Sequence, residues 1–108
     1  MPALKFKAID SKAVCNISKP LVDELQGTIQ CPRDYFTIEI VQSTYIFDGE
    51  LVEGPPIVEV YWFDRGQEVQ DRVAKIITKY VNSIGYKNLD VIFNKLEESN
   101  YYENGEHF

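Results

Sequence analysis

Hydrophobic and polar residues alternate from Ala3 to Ile9 (ALKFKAI), placing Leu4, Phe6 and Ala8 on one face and Lys5 and Lys7 on the other. A period of two is that of a strand with one buried face. The period then lengthens: Val14, Ile17, Leu21, Val22, Leu25 and Ile29 recur at helical spacing through to Gln30, behind a cap at Asp10 or Ser11. Pro20 sits where a single long helix needs a backbone donor. The pattern therefore predicts either a kink there, or a short first turn followed by a helix capped by Ser18 with Pro20 near its start.

CPRD, residues 31–34, has turn chemistry. The aromatic and β-branched run from Tyr35 to Phe47 (YFTIEIVQSTYIF) predicts one long strand. Residues 47–56 form a loop, with Asp48-Gly49 suited to a hairpin turn. IVEVYWF, residues 57–63, is a further strand. Asp64 or Gly66 then opens the clearest helix, whose stripe is Val69, Val73, Ile76, Ile77, Tyr80, Val81 and Ile84, and Gly85 stops it. Leu89 to Phe93 (LDVIF) is the fourth strand, and the polar, aromatic tail turns at Asn104-Gly105.

The order strand, helix, strand, loop, strand, helix, strand is that of two βαβ units in tandem. Right-handed crossovers place both helices on one side of a four-stranded sheet. The expected fold class is α+β, a two-layer α/β sandwich, as a single domain over residues 1–108. The face under the helices would carry Leu4/Phe6, Ile38/Ile40, Val58/Val60/Trp62 and Leu89/Val91/Phe93. The opposite face carries Lys5, Lys7, Thr37, Glu39, Val41, Glu59, Tyr61, Phe63, Asp90, Ile92 and Asn94. That mixture of cations, carboxylates and large apolar groups suits a surface covered by partner subunits and laced with ion pairs; an open, partly wet sheet in a monomer has a similar composition.

Charge narrows the partners. The formal net charge is −6 over 108 residues, which repels phosphate backbones and disfavours nucleic acid and anionic membranes. No stretch approaches the ~20 apolar residues of a spanning helix, and no apolar run follows Lys5 and Lys7 to make a signal peptide. The cytoplasm is the default location. Cys15 and Cys31 form no CxxC pair and stand near no histidine cluster, so no zinc spacing arises and neither metal nor other cofactor is expected. They read as two small buried or half-buried hydrophobes.

Met1-Pro2 opening directly onto a strand, then two βαβ units in about this length, resembles the tautomerase superfamily, whose longer members include macrophage migration inhibitory factor and the carboxymethyl-hydroxymuconate isomerases. FDRGQEVQDRVAKIITKYV is similar to the second helix of that fold, and VIFNKLEESNYYENGEHF to its last strand and returning tail. Within the superfamily the chain most resembles an uncharacterised bacterial branch, a family of unknown function. The resemblance implies a homotrimer with an inner barrel of three sheets, a pocket at each subunit interface, and the N-terminal proline as acid–base catalyst.

The chemistry of such a proline follows from its environment. Removal of Met1 turns Pro2 into a secondary amine at the head of a rigid strand. An α-amino group titrates near ~8 in model peptides, and burial disfavours the ammonium form. The result is a neutral base that takes a proton α to a carbonyl of a small keto/enol or unsaturated carboxylic acid and returns it elsewhere. A cationic or amide group must hold the developing enolate oxygen. Arg33 precedes the second strand, where relatives carry a basic substrate-binding residue. Asn94 ends the fourth strand and resembles a pocket asparagine of the cytokine member; Arg65 follows the third; Tyr101 and Tyr102 would close the pocket from a neighbouring subunit. Each has a plainer role available: Arg33 on a turn, Arg65 paired with Glu68, Asn94 ending a strand. His107 reads as a solvated tail residue. Two other functions fit the same chain, a non-catalytic trimeric assembly or interaction module and a monomeric ferredoxin-like small-ligand binder.

Overall fold

Ala8 ends the first strand. Its φ of 59° lies in the left-handed region, so the chain leaves β1 (Ala3–Lys7) sharply and enters α1 (Ser11–Ile29). The structure, a computed structural model, describes residues 1–107. Asp10 caps α1 by accepting a hydrogen bond from the Ala13 amide at 3.0 Å. Gln30, in the left-handed region, closes the other end through its amide to the Gln26 carbonyl. Pro20 neither breaks α1 nor restarts it: one uninterrupted helix runs through it, and the Ser18 hydroxyl donates back to the Cys15 carbonyl instead of capping. The proline lies on the exposed side, where water can take up the carbonyl that its missing N–H leaves over.

The long strand expected over Tyr35–Phe47 does not form. A single 3-10 turn occupies Arg33–Tyr35, β2 covers Thr37–Val41, and β3 (Tyr45–Phe47) pairs with β4 (Glu50–Val52) in a separate hairpin. Strand pairing explains the break. The last rung of the β1–β2 ladder joins Lys7 to Val41, and beyond it β1 has already turned away. Asp48 and Gly49, with φ of 50° and 78°, make the hairpin turn that the Asp-Gly pair suggested.

β5 (Ile57–Trp62) runs antiparallel to β1, and β6 (Asp90–Lys95) parallel to β5, giving one four-stranded mixed sheet in the order β2-β1-β5-β6. α2 (Gln67–Ser83) begins behind Gly66, whose φ of 89° few other residues tolerate and whose amide donates to Asp64 Oδ1 at 3.1 Å. β7 (Tyr102–Glu103) and β8 (Glu106–His107) form a small terminal ribbon around the Asn104-Gly105 turn. Among the described residues no helix is long and apolar enough to cross a membrane.

Both helices pack on one face of the sheet. The core between the layers is Leu4, Phe6, Leu21, Leu25, Val58, Val60, Trp62, Val73, Ile77 and Val81, all sealed from solvent, as the alternation predicted. The helices are clamped to each other at their outer edge: Lys79 Nζ lies 2.7 and 2.9 Å from the two Glu24 carboxylate oxygens, and the Tyr80 hydroxyl donates to Glu24 Oε1 at 2.8 Å. Cys31 is buried, but Cys15 is exposed on α1, against the expectation that both would be at least half-buried. The helix-free face carries the register row Glu39–Lys5–Glu59–Ile92. Lys7 pairs diagonally with Glu59 at 2.9 Å, and Lys5 sits over the Tyr61 ring at 4.7 Å.

Candidate functional site

Pro2 is fully buried at the head of β1, one of the two inner strands with partners on both sides. Its carbonyl accepts the Thr37 amide at 3.1 Å, which extends the parallel ladder to β2 and fixes the ring. One step beyond the Ala3–Thr37 and Ala3–Tyr61 rungs, Pro2 falls between Phe36 and Trp62. One more step sets Met1 against Phe63. Phe63 and Tyr101 meet edge to face with centroids 5.5 Å apart, and the Tyr101 hydroxyl donates to Met1 Sδ at 3.4 Å. An apolar, aromatic corner therefore surrounds the first two residues.

Its electrostatics suit an amine. The Met1 ammonium is held below its ordinary value, first by burial and then by the Arg65 guanidinium, against a smaller opposing pull from Cys31. Burial pushes the Cys31 thiol up, while Arg65 and the terminal ammonium draw it down. Arg65, Cys31 and the N-terminus thus share one field. Pro2 lies deeper than the half-buried Met1, so an ammonium carried by Pro2 itself would lose more hydration.

Of the residues singled out in the sequence, the fold brings together Pro2, Arg65 and Tyr101. Tyr101 reaches the N-terminus of its own protomer. Arg65 makes no ion pair with Glu68 or any other acid among the described residues. Asn94 is half-buried at the same end of the sheet but on the helix-free face, in the row Thr37–Ala3–Tyr61–Asn94. Arg33 is engaged elsewhere, pairing with Asp23 on α1 and donating to the Lys19 carbonyl. Tyr102 is 59% exposed and packs on His107 at 4.4 Å, in the tail ribbon. Sequence reasoning passed over Trp62, Phe63 and Cys31 as site residues. The first two were legible from register, since Trp62 ends the strand opposite β1 and Phe63 follows it; nothing in the sequence pointed to Cys31.

A hollow of about 530 Å³ lies at the far end of β1, lined by Ala8, Ser43, Thr44, Tyr45, Glu53 and Tyr86 among others. It lies at the opposite end of β1 from Pro2.

This sheet order, with two crossover helices on one face, is the fold of the tautomerase and macrophage migration inhibitory factor superfamily. A fused 4-OT asymmetric trimer superposes with a TM-score of 0.80 at 9% identity, over 97% of this chain and 94% of the other. A macrophage migration inhibitory factor-like protein from Entamoeba histolytica gives 0.62 at 18% identity, over 99% and 98%. Within that fold the chain belongs to the DUF1904 family, a domain of unknown function whose family model matches residues 1–107. A DUF1904 structure from Sebaldella termitidis is 38% identical over the full length of both chains, with a TM-score of 0.91. A protein of unknown function from Vibrio cholerae is 33% identical over 99% of this chain and 87% of its own, with a TM-score of 0.87. No curated protein matches the chain.

Proposed function

We propose that the protein is a tautomerase-type isomerase of small 2-oxo or unsaturated carboxylic acids, with Pro2 as the general base once Met1 has been removed. The observation that carries this reading is the place of Pro2, fully buried at the head of β1 in an aromatic corner, where the neighbouring Met1 ammonium is held below its ordinary value by burial and Arg65. The neutral Pro2 nitrogen takes a proton from the carbon α to the substrate carbonyl. The C–H electron pair moves into the new enol double bond and the carbonyl pair onto oxygen, giving an enolate. The Pro2 ammonium then returns the proton to another carbon or to oxygen, leaving the base neutral again. Arg65 pairs with the substrate carboxylate, and the Tyr101 hydroxyl, which contacts Met1, meets whatever replaces that side chain. Arg33 is tied to Asp23 and takes part only if substrate displaces it; Asn94 and Tyr102 belong to the pocket only as contacts made in an assembly.

The assembly we propose is a homotrimer. The β3–β4 hairpin stands apart from the sheet, and a two-stranded ribbon alone is marginal in water. Ile46 and Leu51 are cross-strand partners 69% and 76% exposed, and Phe47 and Val52 on the other face are exposed as well. A ribbon apolar on both faces is suited to a second copy of the chain, and the mixed helix-free face would be covered in the same assembly. The fused 4-OT relatives are themselves described as trimers. A non-catalytic trimeric module is the second reading, favoured by one observation: with Arg33 engaged, Arg65 is the cation whose field reaches the N-terminus.

Nitrogen-15 NMR of Pro2 in protein lacking Met1 separates the two. Titration well below the ordinary α-amino value supports the base. Ordinary basicity, or a native chain found by mass analysis to keep Met1, overturns it.

A further inference from the structure

Trp62 is the chain's sole tryptophan, and it is 1% exposed. Its indole Nε1 is the buried side-chain polar atom that finds no hydrogen-bond partner among the described residues. Buried donors are almost always satisfied, and an orphan carries the full desolvation penalty of its N–H. The ring itself is well packed, with its centroid 5.1 Å from that of Phe93, so a phenylalanine would supply apolar contact without that penalty.

The position of the orphan is informative. The antiparallel register pairs Ala3 with Tyr61, so the next step sets Trp62 opposite Pro2, and both side chains lie buried on the helix-covered face. Met1, whose side chain reaches Tyr101, is the residue that continues the chain over this corner. Its removal creates the Pro2 amine and opens the corner in one event. A base that generates an enolate needs a donor aimed at the oxygen where charge develops. An indole N–H suits that role because it is donor-only and does not titrate, so it can neither neutralise the base nor lose its proton as pH changes.

We propose that Trp62 Nε1–H is the hydrogen-bond donor to the substrate's carbonyl oxygen at Pro2, with Arg65 left to hold the carboxylate. The assignment rests on Pro2 acting as base, and it makes the site specific for acids whose carbonyl is adjacent to the carboxylate. Such a 2-oxo acid presents its carboxylate to Arg65 and its ketone to Trp62 at once.

The test uses full-length protein lacking Met1, with 2-oxobutanoate in deuterium oxide as probe. Proton NMR there follows exchange of its C3 hydrogens, and parallel spectra in ordinary water read the single indole N–H resonance, which reports on Trp62 directly. The expected result is a saturable shift of that resonance with 2-oxobutanoate, and a Trp62→Phe variant whose exchange kcat falls roughly 100-fold, the loss typical of one oxyanion donor. The acid limb of its pH profile, set by Pro2, should stay in place. A stationary indole resonance in protein that does catalyse exchange overturns the inference and leaves the base standing, the orphan then being satisfied by a structural water only. A Trp62→Phe variant at parental rate does the same. A displaced acid limb shows the indole acting on the Pro2 amine and likewise overturns the assignment. Should the variant fail to fold, the resonance shift in the parent still decides. Exchange that persists undiminished in Pro2→Ala, by contrast, removes the base reading while the indole shift is judged on its own.

Discussion

The Tyr101 hydroxyl donates a hydrogen bond to Met1 Sδ at 3.4 Å, joining the two ends of the chain across 100 residues. The tail thereby closes over the strand head that carries Pro2. In the proposed mechanism Met1 stands where a substrate of Pro2 would lie, so processing of the N-terminus and access to the site would be one event.

Stability should depend on pH through the N-terminus. In the Met1-bearing chain the ammonium is held below its ordinary value by burial and by Arg65, so the folded state binds this proton less tightly than the unfolded state does. Between the folded value and about 8, the unfolded chain carries more protons and stability rises with pH. Melting temperatures measured over that window should climb in the free-amine protein relative to the same protein acetylated at Met1. Parallel curves would contradict the depressed amine.

Arg65→Gln removes the second cause of that depression. The N-terminal amine should then titrate higher, closer to its ordinary value, in a nitrogen-15 NMR titration. If Arg65 holds the substrate carboxylate, the same variant should raise KM for 2-oxobutanoate exchange more than it lowers kcat. An unmoved amine would place Arg65 outside the field of the site.

The helix clamp gives a dependence of the same sign in a lower, acid-side window. Glu24 is held below the usual carboxylate range chiefly by its hydrogen bond to Lys79 and next by that to Tyr80. Its contribution is present above the unfolded carboxyl value of about 4.3 and is lost as pH falls through the lower folded value. Glu24→Gln should flatten that part of the stability curve. A double-mutant cycle with Lys79→Met should show coupling that shrinks in high salt, since the pair is exposed.

Pro20→Ala should stabilise the protein. An interior proline costs a helix about 3 kcal/mol, and α1 is intact around it on an exposed side. Greater freedom of the unfolded chain returns about 0.4–1 kcal/mol of that. A net gain of about 2–2.5 kcal/mol by urea denaturation is expected, with the helical circular dichroism unchanged.

If the chain forms the proposed homotrimer through this hairpin, Ile46→Ser with Leu51→Ser should dissociate it without unfolding the protomer. Both side chains lie on a ribbon outside the sealed core, so far-ultraviolet circular dichroism should persist while sedimentation shifts from trimer to monomer. A variant that stays trimeric would move the interface away from the hairpin.

Much of this architecture was legible along the chain because it depends on local periodicity. The alternation in ALKFKAI and IVEVYWF, the helical stripe from Val69 to Ile84, and the Asp-Gly turn each carry their geometry within a few residues, and the two βαβ units follow from them. Partners distant in sequence decided the rest. YFTIEIVQSTYIF has the composition of one strand, but it splits because Ala8 withdraws the neighbour it needs beyond Val41. Pro20 stays inside a helix because the packed Leu21, Val22 and Leu25 outweigh one missing donor. Arg33 looked like a pocket cation from its place before β2, yet Asp23 on α1 holds it. Pro2 could be picked out from its position alone, but the setting that lowers the basicity of the terminal amine beside it could not. Burial, the field of Arg65 and the orphan Trp62 N–H exist only once β5, its following loop and the tail converge on the first two residues, because solvation and charge act through space and not along the chain.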